Sequence, residues 1–201
     1  MATALSPDSV LIGTANGPGI WFAPAGTTAP TDATTALGSE WSTLGYLSED
    51  GVTLAQSTNS EDIYPWQGRS PVRTMITERN LSMDFSMLEF NEQNLQLYFG
   101  MEQTTTASGD TWSLNVVSNA PAQIYSFCID VADMDLKVRY YIPRGTLSDA
   151  GDLEITDSGV MALPVTLKTL DDQGELMEVF HDKATARIAS TTKVSAAGSG
   201  S

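Results

Sequence analysis

Residues 79–87 read RNLSMDFSM, a stretch in which polar and apolar side chains alternate strictly from Asn80 to Met87. Side chains of a β-strand point to opposite faces in turn, so this alternation predicts a half-buried strand. The face predicted to be buried holds Leu81, Met83, Phe85 and Met87. The face predicted to be polar holds Asn80, Ser82, Asp84 and Ser86. Residues 72–77 also favour extended structure, which leaves one long bent strand or two strands broken near Glu78 as alternatives.

Working outward, two further stretches show the same alternation. Apolar residues alternate from Tyr125 to Val131 and again from Met134 to Ile142, which predicts a long hairpin linked at Ala132-Asp133. A third hairpin is predicted from residues 161–167, through the turn at residues 171–174, into residues 176–180. Pro164 places the first strand of that third hairpin at a sheet edge or a bulge.

Shorter strands are predicted at residues 10–14, 19–23, 51–57, 111–117 and 152–156, separated by turns at residues 17–19, 109–110 and 148–151. One segment, Asn91 to Phe99, is typical of a helix. Asn91 is a favourable N-cap, Glu92 lies in the first turn, and Gly100 ends the segment. The sequence therefore predicts a mainly β domain with one α-helix packed against its sheets.

Two segments lack apolar alternation. Residues 24–44 are rich in Ala, Thr, Gly and Pro and exceed the usual length of a structureless loop, so we expect a long loop or arm. Residues 184–201 have the composition of a flexible C-terminal tail. The remaining sequence, residues 1–183, predicts a single domain that includes this loop.

Composition excludes several classes of function. The chain has 201 residues, 10 Lys and Arg against 25 Asp and Glu, and a net charge of −15, which disfavours binding to a phosphate backbone. The N-terminal stretch MATALSPDSVLIGT has no basic region followed by a long apolar run, and no later stretch approaches the length of a membrane helix. We expect neither a signal peptide nor a membrane partner.

The sequence predicts no enzyme, cofactor or metal site. His181 is the only histidine, and Cys128 is the only cysteine, so neither a catalytic triad nor a thiolate metal site can be assembled. Asp130, Asp133 and Asp135 cluster near a predicted turn but lack the glycine and distant glutamate of an EF-hand loop. We interpret them as solvated turn residues.

Long amphipathic strands leave open sheet edges, and few lysines or prolines guard them here. Such edges tend to pair with another subunit, and a head-to-tail contact closes a ring where the rotation permits it. Four aromatic residues outside the alternating strands are candidate inter-subunit contacts: Trp41, Tyr46, Tyr64 and Trp66. The residues alone thus predict a self-associating β-domain.

The block from Gly45 to Gly100 carries a more specific signal. Gly45-Tyr46 followed by Glu49-Asp50-Gly51-Val52 opens it, and Glu61-Asp62-Ile63 leads to Trp66. Val72-Arg73-Thr74 then precedes the alternating strand, and Leu88-Glu89-Phe90-Asn91 precedes the helix. This order resembles the major tail tube proteins of siphophages that infect actinobacteria and related hosts.

The resemblance implies a tail tube fold of two packed antiparallel sheets, a β-sandwich or partial barrel, with a flanking helix. It also implies hexameric rings that stack into a tube around a tape measure protein, with tail terminator and distal tail proteins at the ends. DNA passes through the lumen without specific binding, and an acidic lumen repels it. The polar face of Asn80, Ser82, Asp84 and Ser86 is the candidate lumen surface. Such a protein is assembled in the host cytoplasm and resides in the virion tail.

Two alternatives stay open at this point. The tube of a contractile tail or secretion apparatus shares the fold, although the order of motifs disfavours it. A carbohydrate-binding or decoration β-sandwich of a phage particle belongs to a different class, and exposed tryptophans between Trp21 and Trp66 would serve a sugar.

Overall fold

The computed structural model describes residues 19–101, 112–133, 136–155, 157 and 159–182. These residues form one eight-stranded antiparallel sheet with the strand order β2-β1-β5-β6-β7-β4-β3, and β8 pairs with β6 off this path. The elements are β1 (Ile20–Pro24), β2 (Ser42–Thr43), β3 (Leu47–Ile63), β4 (Arg73–Met87), α1 (Glu92–Phe99), β5 (Ile124–Asp133), β6 (Leu136–Ala150), β7 (Leu163–Thr169) and β8 (Glu178–His181). The expected mainly β fold with a single helix is confirmed for this part of the chain.

Strand β4 confirms the prediction from residues 79–87. The four apolar side chains are buried and the four polar side chains between them are half-buried. The strand is continuous rather than broken near Glu78. Asn59 pairs with Glu78 and Ser60 with Ile76, so Thr77 is the extra residue of a β-bulge that bends β4 without ending it.

Helix α1 has the predicted bounds and caps. The Asn91 side chain accepts a hydrogen bond from the Asn94 N–H (2.8 Å), which satisfies one free donor of the first turn. Gly100 ends the helix in the left-handed conformation with φ of 61°. Leu97 and Tyr98 pack into the core, and the Tyr98 hydroxyl donates to the Gly151 carbonyl at 2.6 Å.

The main core lies between the two halves of the curled sheet. It combines buried side chains from both ends of the strand order, including Ile20 of β1, Phe127 of β5, Met83 of β4 and Leu163 of β7. The two layers expected from the sequence are therefore parts of one continuous sheet joined through β6 and β7.

The segment between β2 and β3 closes this sheet into a partial barrel. The Leu44 N–H donates to the Ile20 carbonyl (3.1 Å), and the Leu88 N–H donates to the Tyr46 carbonyl (2.9 Å). The buried Asn94 side chain donates to the carbonyls of Leu44 and Glu89, both at 2.9 Å. These bonds attach β1, the end of β4 and the helix to the same short segment.

The third predicted hairpin is wrong. The turn at residues 171–174 exists, with Asp172 bridged to Glu175, but β8 pairs with β6 and not with β7. The reason is that β7 has no free edge for β8, because β6 and β4 already pair with its two edges. For the same reason Pro164 does not lie in an edge strand. The Pro164 carbonyl accepts a hydrogen bond from the Gly151 N–H, which lies just past the last residue of β6. The Pro164 nitrogen points to the same side, where β6 offers no further strand residue that needs a donor.

Several short elements also differ from the sequence-based expectation. Residues 148–150 continue β6 instead of turning, because Asp149 and Ala150 pair with β7 past a bulge at Ser148. Ala132 and Asp133 are paired strand residues and not the hairpin link. Residues 112–117 and 152–155 form no strand. Their local β-propensity was not sufficient, because a strand also needs a neighbouring strand to pair with. The predicted strand at residues 10–14 and turn at 109–110 lie outside the described residues.

Candidate assembly surfaces

The hairpin of β3 and β4 projects from the body of the domain. The two strands pair from Leu47 opposite Met87 to Ile63 opposite Arg73, but β7 covers only Ser82–Met87 of β4. Beyond that point β4 has an open edge within the described residues, and β3 has an open edge along its whole length. The distal part of the hairpin is exposed on both faces.

Apolar side chains cover this projecting hairpin near its tip. Trp66 is 99% exposed and Tyr64 is 58% exposed. The other exposed apolar residues of this tip patch are Ile63, Val72, Met75 and Ile76. Large exposed apolar side chains concentrated at one end of a hairpin favour an interaction site, and the candidate contacts Tyr64 and Trp66 lie where a partner can reach them.

The other two candidate aromatic contacts have different environments. Tyr46 is 77% exposed beside the closure segment. Trp41 is 6% exposed and packs edge-to-face on Tyr141, with ring centroids 6.2 Å apart. The Trp41 side chain is therefore packed in the core of its own subunit, which leaves little of its surface for the proposed contact with a neighbour.

The polar side chains of β4 lie on the face opposite the main core. On the adjacent strands Asp84 is opposite two threonines, Thr53 and Thr166, whereas Ser82 is opposite Ala55 and the cation Lys168. The Thr166 hydroxyl donates to the Asp84 carboxylate at 2.5 Å. A hollow on this face is also bordered by Asp50 and Asp149, so its carboxylates outnumber its cations.

Residues 25–41, the main part of the predicted arm, fold back over the outer face of the sheet. The Arg139 guanidinium is the anchor. It donates to the carbonyls of Asp32 (3.1 Å) and Thr35 (2.9 Å) and forms a two-bond pair with the Asp130 carboxylate (2.6 and 2.9 Å). Those bonds to Asp130 raise the pKa of Arg139 above its ordinary value. We name this arrangement the Arg139 clamp.

The clamped loop is also ordered from within. The Asp32 carboxylate accepts hydrogen bonds from the side chain and backbone of Thr35 and the backbone of Thr34. These bonds, with those from Thr35 the strongest, hold the pKa of Asp32 well below its usual range. The clamp is absent from the expectations drawn from the sequence, although a hairpin register that places Asp130 opposite Arg139 contains its signal.

Cys128 lies in the small core beneath this loop, and burial raises the pKa of its thiol to about 12. Because the thiolate is the reactive form, we expect an aromatic disulfide reagent at pH 8 to modify the native protein at least roughly a hundredfold more slowly than the urea-unfolded chain. A raised pKa contributes stability that is present below the unfolded-state value and is lost as pH rises toward 12. Rapid labelling of native protein at pH 8 would contradict this burial.

Among the described residues, no group of three or more His, Cys, Asp or Glu side chains is placed to hold a metal ion. His181 is exposed at the end of β8, opposite Val138, and Asp130 is engaged by Arg139. In the same residues, no helix has the length and apolar character needed to cross a bilayer. The candidate functional features are therefore the projecting hairpin of β3 and β4, the polar face of β4 and the Arg139 clamp.

A family model described as phage tail tube protein matches residues 3–193. The chain belongs to this phage tail tube family. It is therefore a structural, non-enzymatic protein of the bacteriophage virion tail, as the block from Gly45 to Gly100 indicated. No curated protein sequence matches the chain.

Chains of solved tail and baseplate particles are similar to this tail tube protein at low sequence identity. A chain of the native gene transfer agent virion is 9% identical, with a TM-score of 0.42, and the match covers 84% of this chain and 99% of that one. A chain of the empty gene transfer agent tail is 8% identical, with a TM-score of 0.42 and coverages of 80% and 94%. A chain of the anti-feeding prophage baseplate is 14% identical, with a TM-score of 0.45 and coverages of 80% and 90%.

Proposed function

We propose that this tail tube protein forms hexameric rings that stack into the tube of a long, non-contractile siphophage tail, whose lumen conducts the genome. The observation that carries this proposal is the projecting hairpin of β3 and β4. Its open edges and apolar tip have no partner within the described part of the subunit. Contact between subunits would pair the open strand edges and bury the apolar side chains at the tip.

The polar face of β4 supports the proposed lumen assignment. Asn80, Ser82, Asp84 and Ser86 share one face, on which Ser57, Thr53 and Thr166 are their polar neighbours and Lys168 is a cation. The chain as a whole carries a charge of −15. A smooth acidic surface would repel a DNA phosphate backbone and let it slide. A side-chain-resolution map of assembled tubes should place these four side chains in the bore, and a map placing them on the exterior would contradict the assignment.

The other proposed partners follow from the same assembly. A tape measure protein would occupy the lumen before DNA, and tail terminator and distal tail proteins would contact the open edges of the end rings. The loop of residues 24–44 remains a proposed inter-subunit surface. It would contact a neighbour while the Arg139 clamp holds it on the sheet of its own subunit. A sugar-binding role has weaker support, because Trp41 is buried and Trp66 stands at the tip of the projecting hairpin.

We expect purified protein to form rings or tubes as its concentration rises, and the double variant Tyr64→Ser/Trp66→Ser to remain dispersed. The variant removes exposed apolar area that only assembly can bury, so its free energy of unfolding should change by no more than about 0.5 kcal/mol. Negative-stain microscopy and sedimentation measure assembly, and urea unfolding measures stability.

The matched control is Ile155→Ser/Val160→Ser, which removes apolar side chains that are 75% and 81% exposed away from the hairpin. Normal tubes from this control with none from the tip variant would support the proposal. Equal loss of tubes in both variants, or wild-type protein that stays monomeric at every concentration, would contradict it.

A further inference from the structure

A cleft separates the projecting hairpin from the segment that leads into β8. It has a volume of about 400 Å³. Leu81, Leu176 and Met177 form its apolar floor, and its exposed rim carries Arg79, Glu175 and Glu178. One wall is β4 just beyond the point where its pairing with β7 stops, at Ser82 opposite Lys168.

The part of β4 that forms this wall has an unpaired edge, to which another strand can add. The Thr169 hydroxyl donates to the Leu81 carbonyl at 3.0 Å and marks the end of the β7 side of the sheet. From Asn80 back to Arg73, β4 pairs only with β3 within the described residues. Its unpaired backbone groups on the cleft side are the feature that an added strand satisfies.

The charge of the rim specifies the kind of segment that fits. Among the described residues, no cation lies within salt-bridge distance of the Glu175 or Glu178 carboxylate. In the sequence, residues 183–193 carry Lys183, Arg187 and Lys193 with no acidic residue, and Ile188 follows the middle cation. The family match includes this segment, since it ends at residue 193.

The direction of the chain decides which copy supplies the segment. Strand β8 begins at the cleft with Glu178 and runs away from it to His181, and the Asp182 N–H then donates to the Lys137 carbonyl at 3.0 Å. Asp182 therefore lies at the far end of β8 from the cleft of its own subunit. The segment that follows would have to turn back along β8 to reach that cleft, whereas the cleft of a second copy requires no such reversal. A head-to-tail contact of this kind closes a ring or extends a stack.

We propose that residues 183–193 of one subunit bind in the cleft between β4 and β8 of a second copy, with their cations on Glu175 and Glu178. This inference rests on the proposed function, because it needs subunits to associate. It identifies a basic segment of this same chain as the occupant of a cleft with an apolar floor and two rim carboxylates, those of Glu175 and Glu178.

Trypsin cleavage after Arg187 tests the contact in the full-length protein. Raising the protein concentration into the assembly range should slow this cleavage roughly tenfold, the effect expected from two or three exposed ion pairs with some apolar burial. The variant Glu175→Gln/Glu178→Gln should lose most of this protection. The control Glu154→Gln/Asp157→Asn changes the net charge equally at exposed positions outside the cleft and should keep it.

A charge exchange provides the second readout. Glu175→Lys/Glu178→Lys and Lys183→Glu/Arg187→Glu/Lys193→Glu should each weaken association measured by sedimentation, and the combined variant should recover much of it. Assembled wild-type tubes with unprotected Arg187 would overturn the docking and leave the tube function standing. Protection that is already complete in dilute monomer would also overturn it, because the segment would then bind its own subunit. Absence of any association of the wild type would overturn both proposals.

Discussion

Replacing Gly45 with alanine is expected to lower the free energy of unfolding by about 2 kcal/mol. Gly45 has φ of 75°, a conformation that costs a residue with a Cβ roughly 1 kcal/mol or more. An added Cβ would also overlap the Glu89 carboxylate. That carboxylate, at the end of a flexible side chain, would move and give up its 2.9 Å bond from the Tyr46 N–H, an exposed bond that contributes about 1 kcal/mol.

Two matched variants separate these causes. Gly26 has φ of 90° and no atom within 4 Å of the position that an added Cβ would take, so Gly26→Ala should show the backbone cost alone. Glu89→Ala should show the loss of the Tyr46 bond alone. Urea unfolding should place Gly45→Ala near the sum of the two losses. A loss no greater than that of Gly26→Ala would mean that Glu89 contributes nothing to closing the barrel.

Replacing Arg139 with methionine is expected to cost about 2–3 kcal/mol and to release residues 27–40 from the sheet. The Arg139 side chain is 5% exposed, and its removal leaves the Asp130 carboxylate and two loop carbonyls without their donor. The expected loss lies below that for a fully buried pair because the Asp130 side chain is 33% exposed and water partly replaces the guanidinium. Urea unfolding measures the stability, and amide hydrogen exchange measures the release of the loop.

Lys137→Met is the control, since Lys137 is exposed on the same strand, and it should change stability by no more than about 0.5 kcal/mol. Adding Asp130→Leu to Arg139→Met should recover part of the loss, because both charged partners are then absent. Unchanged hydrogen exchange of residues 27–40 in Arg139→Met would show that Trp41 and its apolar neighbours hold the loop without the clamp.

The contacts of the segment between β2 and β3 explain part of the sequence resemblance in physical terms. Gly45 leaves space for the Glu89 carboxylate, and Asn94 reaches back to the Leu44 carbonyl. The block from Gly45 to Gly100 thus contains residues that are distant in sequence and joined at one corner of the barrel. The structural role of each of these residues depends on its contact with the others, so it is not visible in the sequence around that residue alone.

Local chemistry in the sequence determined the elements whose signals lie within a few residues. The period of two from Leu81 to Met87 places apolar side chains in the core and polar side chains on the outer face in whichever sheet β4 occupies. Asn91 and Gly100 satisfy the ends of α1 by themselves. Membership in the tail tube family likewise follows from the order of such local motifs.

Only the tertiary structure decided which strands meet and which surfaces remain open. The pairing of β8 with β6, the continuation of β6 through Asp149 and the burial of Trp41 depend on which edges other strands already occupy. The exposure of Trp66 and the cleft between β4 and β8 likewise depend on where β7 stops along β4. The physical reason is that side-chain period is a property of one segment, whereas pairing is a competition among all segments for the same backbone hydrogen bonds and buried area.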